Sequence, residues 1–265
     1  MSRETGRRIL HAVPLIVLAI AIVVAGGPWF AGGMAIVGIL GIREFLAMAQ
    51  EKDPLPAPMY LALVGFILAA ALGSKTTILL SLAVPFPLLF FFAIRRKDRT
   101  GITDSFAVSL LGLYWIGIPL IFAILLRDIP DYGTGLLVDV LIGTFVADTG
   151  AYAVGRLFGS RPLAPKLSPN KTVEGLIGGI VLGIVAVWAA GLYQDWLSGT
   201  DALILGAAVA LTAPIGDLFE SMIKRDVGVK DSGRILAGHG GILDRFDSLL
   251  FAALAGYFLT TWMVL

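Results

Sequence analysis

The sequence predicts an all-α, polytopic membrane protein of about nine transmembrane helices, with its N-terminus cytoplasmic and its C-terminus outside. Three observations carry that prediction. Apolar residues make up 57% of the 265-residue chain and charged residues only 15%, where a soluble domain carries about 25% charge; mean hydropathy is +0.89. The apolar residues fall in runs long enough to cross a bilayer, which takes about 20 helical residues. The basic residues collect in alternate connections, the bias that orients such helices.

Taken in order, the runs are 9–25, 29–47, 58–73, 76–94, 105–126, 135–154, 173–193, 202–223 and 246–264. The first follows Arg7-Arg8 and ends at Ala25, the outline of a secretory signal; it is long for a signal core and is read as a retained span. The third is the shortest. Pro85 and Pro87 in the fourth and Pro119 in the fifth remove backbone donors and predict kinks. In the seventh, Gly175, Gly179 and Gly183 recur every four residues, a spacing read either as close backbone packing or as a hinge. Trp29, Trp115, Trp188, Trp196 and Trp262 lie mostly near run ends, as interfacial anchors do.

With nine spans and a cytoplasmic N-terminus, 18 of the 20 Lys and Arg residues fall inside, leaving Lys75 and Arg127 outside. The polar connections 155–172 and 224–245 then both face the cytoplasm. The chain divides at this level into N-terminal helices at 1–130, about five spans, and a C-terminal catalytic region at 131–265, about four. The absence of cysteine excludes disulfides, thiolate metal sites and a cysteine nucleophile. His11 and His239 are the two histidines, too few for a multi-histidine metal centre. Neither a P-loop nor a dinucleotide fingerprint is present.

Chemistry concentrates between Pro214 and Ser248. Asp217, Ser221 and Lys224 are spaced i, i+4, i+7 and share one helical face, flanked by Glu220 and Arg225. Asp244 and Asp247 are i, i+3 at the start of the last span, where Asp247 also suits a helix cap. Neighbouring buried acids repel unless a cation joins them, and magnesium accepts one or two carboxylates with waters and phosphate oxygens. A purely structural salt-bridge network is the competing reading. Lys224, Arg225, Lys230, Arg234 and Arg245 read as a phosphate clamp, or as a juxtamembrane basic face that sets topology. Gly238, Gly240 and Gly241 let backbone N–H groups approach phosphate; His239 between them is either a donor or a satisfied loop side chain.

Asp148 sits inside the sixth run, where a charge is costly and marks a site or an ion pair with a neighbouring helix. Tyr152 and Arg156 continue its face, while Asp139 near the outer end reads as interfacial. In the connection 155–172, Lys166, Asn170 and Lys171 can form a second wall of the same site, and Ser168 or Thr172 can cap the next helix with Glu174 in its first turn.

These residues resemble a known family. The run Ser221-x-Ile223-Lys224-Arg225-x4-Lys230-Asp231-x-Gly233-x2-Leu236-x2-His239-Gly240-Gly241-Ile242-x-Asp244-Arg245-Phe246-Asp247 is similar to the signature of phosphatidate cytidylyltransferases, also called CDP-diacylglycerol synthases. Asp148-x3-Tyr152-x2-Gly155 and Ser168-Pro169-Asn170-Lys171-Thr172-x-Glu174-Gly175 resemble the same family independently. Ala237 stands where the family usually has proline.

The resemblance implies transfer of CMP from CTP to phosphatidic acid with magnesium, alone or joined by a second magnesium or potassium ion, in a homodimer of the bacterial inner membrane. It implies metal binding by Asp217 and Asp244 with Asp247 and Asp231 assisting, and phosphate binding by Lys224, Arg225, Lys230 and Arg245. It also implies a phosphate or metal-bound water at Ser221, and nucleotide or lipid contact at Asn170 and Lys171. Two other functions fit the composition: a CTP-dependent polyprenol or phytol kinase, and an ion-coupled transporter using Asp148 and Asp217.

Overall fold

A computed structural model describes residues 17–98, 100–233 and 240–264. Among the described residues the chain is all-α apart from one small hairpin. Residues 17–25 are helical, followed by α1 (Gly27–Met48), a 3₁₀ turn (Gln50–Lys52), α2 (Pro56–Leu72), α3 (Lys75–Ala83), α4 (Pro85–Ala93) and α5 (Ile102–Arg127). Next come α6 (Gly133–Phe158), β1 (Pro162–Ala164), β2 (Ser168–Thr172), α7 (Val173–Gly191), α8 (Gly199–Asp226) and α9 (Leu243–Val264). Among the described residues seven helical stretches are long and apolar enough to cross a membrane, with α3 and α4 together forming one, and α2 is a shorter apolar helix. The protein is therefore an all-α polytopic membrane protein. The expected run at 9–25 lies partly outside the described residues.

The fourth run breaks where its prolines predict. Helix α3 ends at Ala83 and α4 begins at Pro85, with Val84 between them. Pro119, by contrast, lies inside an unbroken α5.

Two compact units form, one from Met1–Asp128 with Asp231–Leu243, the other from Ile129–Lys230 with Asp244–Leu265. In the first, α1, α2 and α5 pack on one another around Ile42, Phe45, Met59, Leu63, Phe66, Leu113 and Ile121, all buried. Burying such side chains stabilises by about 1.5–3 kcal/mol each where the alternative is water, so in a bilayer close packing must supply the specificity. Glycines provide it: a Cβ at Gly117 would lie 2.6 Å from Phe66. The Trp115 ring, far from being an interfacial anchor, is buried edge-on against Phe45 at 6.2 Å. Arg127, at the end of α5, donates to the carbonyls of Val23 (2.7 Å) and Val24 (3.0 Å), which end the helical stretch 17–25.

In the second unit, α6 and α7 pack along their glycines. A Cβ at Gly175 would fall 2.7 Å from the Ala151 carbonyl oxygen, and one at Gly179 2.6 Å from that of Ala147. The four-residue glycine repeat is thus a packing seam.

The connection after α6 holds the antiparallel hairpin β1–β2, with Pro162 opposite Thr172 and Ala164 opposite Ser168. Thr172 caps α7, accepting from the Gly175 N–H at 3.1 Å. Glu174 turns back instead and accepts from the Ser160 N–H and hydroxyl and from the Arg161 N–H and Nε, at 2.8–3.2 Å. One carboxylate so fixes the entry to the hairpin.

Candidate active site

The site residues of the second unit come from α6, β2, α8 and α9. Helix α8 runs through Pro214 to Asp226, so Asp217, Glu220, Ser221 and Lys224 all project from regular helix. Opposite them, α9 approaches closely because residue 216 is glycine: a Cβ there would overlap the Asp247 carbonyl oxygen. One turn further on, the Phe219 and Phe251 rings meet at 5.7 Å. That contact brings the acids of α9 beside those of α8. Asp247 lies one turn inside α9, which starts at Leu243, so it is not the helix cap expected of it; its Oδ1 accepts the next N–H, from Ser248, at 2.8 Å.

Lys224 is the centre of the arrangement. Its Nζ lies 2.7 Å from Glu220 Oε2 and 2.7 Å from Asp244 Oδ1, and its side chain is 11% exposed. Glu220 is fully buried, and among the described residues its second oxygen, Oε1, has no hydrogen-bond donor. The Glu220 side chain also meets the buried carboxylate of Asp247, which in turn faces Asp217. Two carboxylates approach one another only where a proton or a cation is shared between them.

Strand β2 supplies the other cation: Lys171 forms an ion pair with Asp217. From α6, Asp148 has Asp217 and Lys171 as charged neighbours and accepts from the Ser248 hydroxyl at 3.4 Å. Further along α6, Arg156 donates to the Tyr152 hydroxyl at 2.8 Å, and Tyr152 is exposed. The structure thus joins Asp148, Lys171, Asp217, Glu220, Lys224, Asp244, Asp247 and Ser248, with Ser221 buried on α8.

Other predicted residues stand apart from this cluster. Arg225 donates to the carbonyls of Leu167 and Val229, both at 3.1 Å, and so fastens the hairpin turn to the end of α8. Lys166, Asn170, Lys230 and Arg245 are exposed. Asp231, Gly240 and Gly241 belong to the first unit; Asp231 is exposed, and Gly240 has a φ of 80°, a left-handed conformation suited to glycine. Arg234, Gly238 and His239 lie outside the described residues. Asp139, near the start of α6, is fully buried, with Gln194 Nε2 donating to both its oxygens at 2.8 and 2.9 Å.

Two functional candidates escape a reading of the sequence as a list of motifs. Glu220, treated there as a flanking acid, is at the heart of the cluster; its i, i+4 spacing to Lys224 was the available signal. Glu44 lies outside every motif. No local pattern marks it, beyond being an acid set just before the apolar run Phe45-Leu46-Ala47-Met48.

Chemically, the second unit gathers five carboxylates around two ammonium groups. The carboxylate oxygens are hard donors. Among the described residues no three such groups already converge at metal-ligand spacing.

Comparison with known proteins identifies the family. The model of the cytidylyltransferase family matches residues 6–263. A phosphatidate cytidylyltransferase of Synechocystis sp. is 33% identical, over 95% of this chain and 95% of its own length. One from Staphylococcus saprophyticus is 31% identical over 92% of this chain and 94% of its own. A third, from Mycobacterium bovis, reaches 41% identity over 50% of this chain and 43% of its own. With a family match across nearly its whole length and relatives aligned end to end, the chain belongs to the cytidylyltransferase family.

Proposed function

We propose that this protein transfers CMP from CTP to phosphatidic acid, releasing pyrophosphate and forming CDP-diacylglycerol for phospholipid synthesis. The observation that carries the reading is the surplus of carboxylates over lysines inside apolar helices of the second unit, in a chain of this family. A phosphate oxygen of the lipid attacks the α-phosphorus of CTP, and the bond from that phosphorus to the bridging oxygen of the β-phosphate breaks. No protein nucleophile is needed, so the side chains position the reactants and balance charge.

Asp217, Asp244 and Asp247 would hold magnesium, with Glu220 beside them. Bound magnesium supplies charge neutralisation at the phosphates. Lys171 and Lys224 are point charges already among these acids and can pair with phosphate oxygens as readily as with carboxylates. Ser221 offers a hydroxyl on the same face of α8. Lys230 and Arg245, both exposed, would contact the triphosphate or the lipid head from the water side. Asp148 and Tyr152 on α6 would line the lipid side. Neither the lipid kinase nor the transporter reading gains support from the relatives.

The site would face the cytoplasm of a bacterial inner membrane, in a nine-span chain with its N-terminus inside, as the distribution of Lys and Arg supports. The family resemblance adds a homodimer, which cross-linking in detergent checks. Thr200→Cys tests the orientation: in this cysteine-free chain a maleimide that cannot cross membranes should label position 200 from the periplasmic side alone, and labelling from the cytoplasm would overturn the span count. The activity is tested by incubating purified protein with α-labelled CTP, phosphatidic acid and magnesium. A labelled chloroform-soluble product is expected; label that enters lipid from the γ-phosphate instead would identify a kinase.

A further inference from the structure

Glu44 is a buried carboxylate, 3% exposed, near the end of α1. Its Oε1 accepts the Ile242 N–H at 2.9 Å, and its Oε2 accepts the Leu243 N–H at 2.9 Å and the Ser232 hydroxyl at 3.2 Å. Its described partners are therefore neutral donors, reached across roughly two hundred residues of chain. Two glycines make room for it: a Cβ at Gly233 would come within 2.7 Å of Glu44 Cδ, and so would one at Gly241. Leu243, whose N–H it binds, packs its side chain over Gly41 one turn back on α1.

The position of these donors matters more than their number. Leu243 is the first residue of α9, and the first N–H groups of a helix have no partner within it. A negative charge there is favoured by the helix dipole as well as by the hydrogen bonds. Glu44 therefore caps α9 from a different helix, and it grips Ser232 on the near flank of the glycine-rich segment with the same carboxylate.

We propose that Glu44 is a positioning residue for CMP transfer: a single carboxylate on α1 sets where α9 begins, and hence where Asp244 and Asp247 stand. Asp244 is the second residue of α9 and Asp247 the fifth, so a first turn that frays without its acceptor loosens the hold on both acids. This inference rests on the proposed cytidylyltransferase reading.

The test uses the full chain in detergent or nanodiscs, comparing Glu44→Gln and Glu44→Asp with the wild type. Three quantities are measured: steady-state CMP transfer, amide hydrogen exchange in peptides covering 240–247, and thermal unfolding. Glutamine presents an N–H₂ group to one of the backbone donors and breaks the cap. For Glu44→Gln, kcat should fall about 10-fold or more, as for lost outer-shell partners of a metal site, while KM for CTP changes by less than about threefold. Exchange at Ile242 and Leu243 should quicken, the unfolding midpoint should hold, and Glu44→Asp should recover part of the loss.

Faster exchange at those two amides with kcat kept within about twofold would reduce Glu44 to a helix cap and overturn the proposal. Loss of kcat only in proportion to loss of folded protein would overturn it too. If Glu44→Gln does not fold, Glu44→Asp decides by the same three measurements. A wild-type protein that makes no labelled lipid overturns the functional reading itself, and the exchange measurement then still reports whether Glu44 holds the start of α9.

Discussion

Asp244→Asn and Asp217→Asn should each lower CMP transfer by about 100-fold or more, the scale seen when one preorganised electrostatic group is removed from a reacting centre. Both changes are nearly isosteric, so folded yield in detergent should be little altered. The two acids are placed differently. Asp244 accepts from Lys224 at 2.7 Å, whereas Asp217 is half-exposed and pairs with Lys171 across from β2. Losing either charge leaves a lysine with one carboxylate fewer and removes a hard oxygen donor from the proposed magnesium site. Turnover near the wild-type level in either variant would take that residue out of the site. The variants are read by transfer of label from α-labelled CTP, with size-exclusion chromatography to confirm folded protein.

Lys224→Met should have the largest effect on stability. The ammonium satisfies Glu220 and Asp244 together, and with it gone a fully buried Glu220 loses its cation. Removing one partner of a buried ion pair costs roughly 3–5 kcal/mol, because the other charge stays behind unpaired. A fall in the unfolding midpoint, or failure to accumulate, is the expected result. Glu220→Gln in the same chain should restore most of the loss, since it removes the charge that Lys224 answers. A Lys224→Met protein as stable as wild type would mean that these acids are neutralised by some other group.

Hydropathy alone located the membrane helices because length and apolarity are local properties, each readable in a window of about 20 residues. The break before Pro85 was legible for a similar reason, since proline acts on its own turn. The hairpin at 162–172 was not. Its residues, Pro-Leu-Ala and Ser-Pro-Asn-Lys-Thr, carry no alternation, and it is held by Glu174 and Arg225, which reach it from α7 and α8.

Apart from Glu220, the acids and lysines of the site stood out in the sequence as candidates, but their pairing did not. Arg225 was expected to clamp phosphate and binds two carbonyl groups; Lys224 was expected to do the same and sits between two carboxylates. A basic side chain names its chemistry in the sequence, whereas its partner is settled by which helices touch. Glu44 is the extreme case, because its role depends on donors at positions 232, 242 and 243, far beyond any sequence window.

The chain passes from one unit to the other at Asp128, returns at Lys230 and leaves again at Leu243. A truncation that begins at Ile129 would therefore keep every family motif and still be a broken protein. The peptide 231–243 would have lost the helices it folds with, and the amides of Ile242 and Leu243 would have no acceptor in place of Glu44. Shortening this enzyme to its motif-bearing half is not a route to a minimal catalyst; the N-terminal helices, poor in motifs, complete the folding of the richest one.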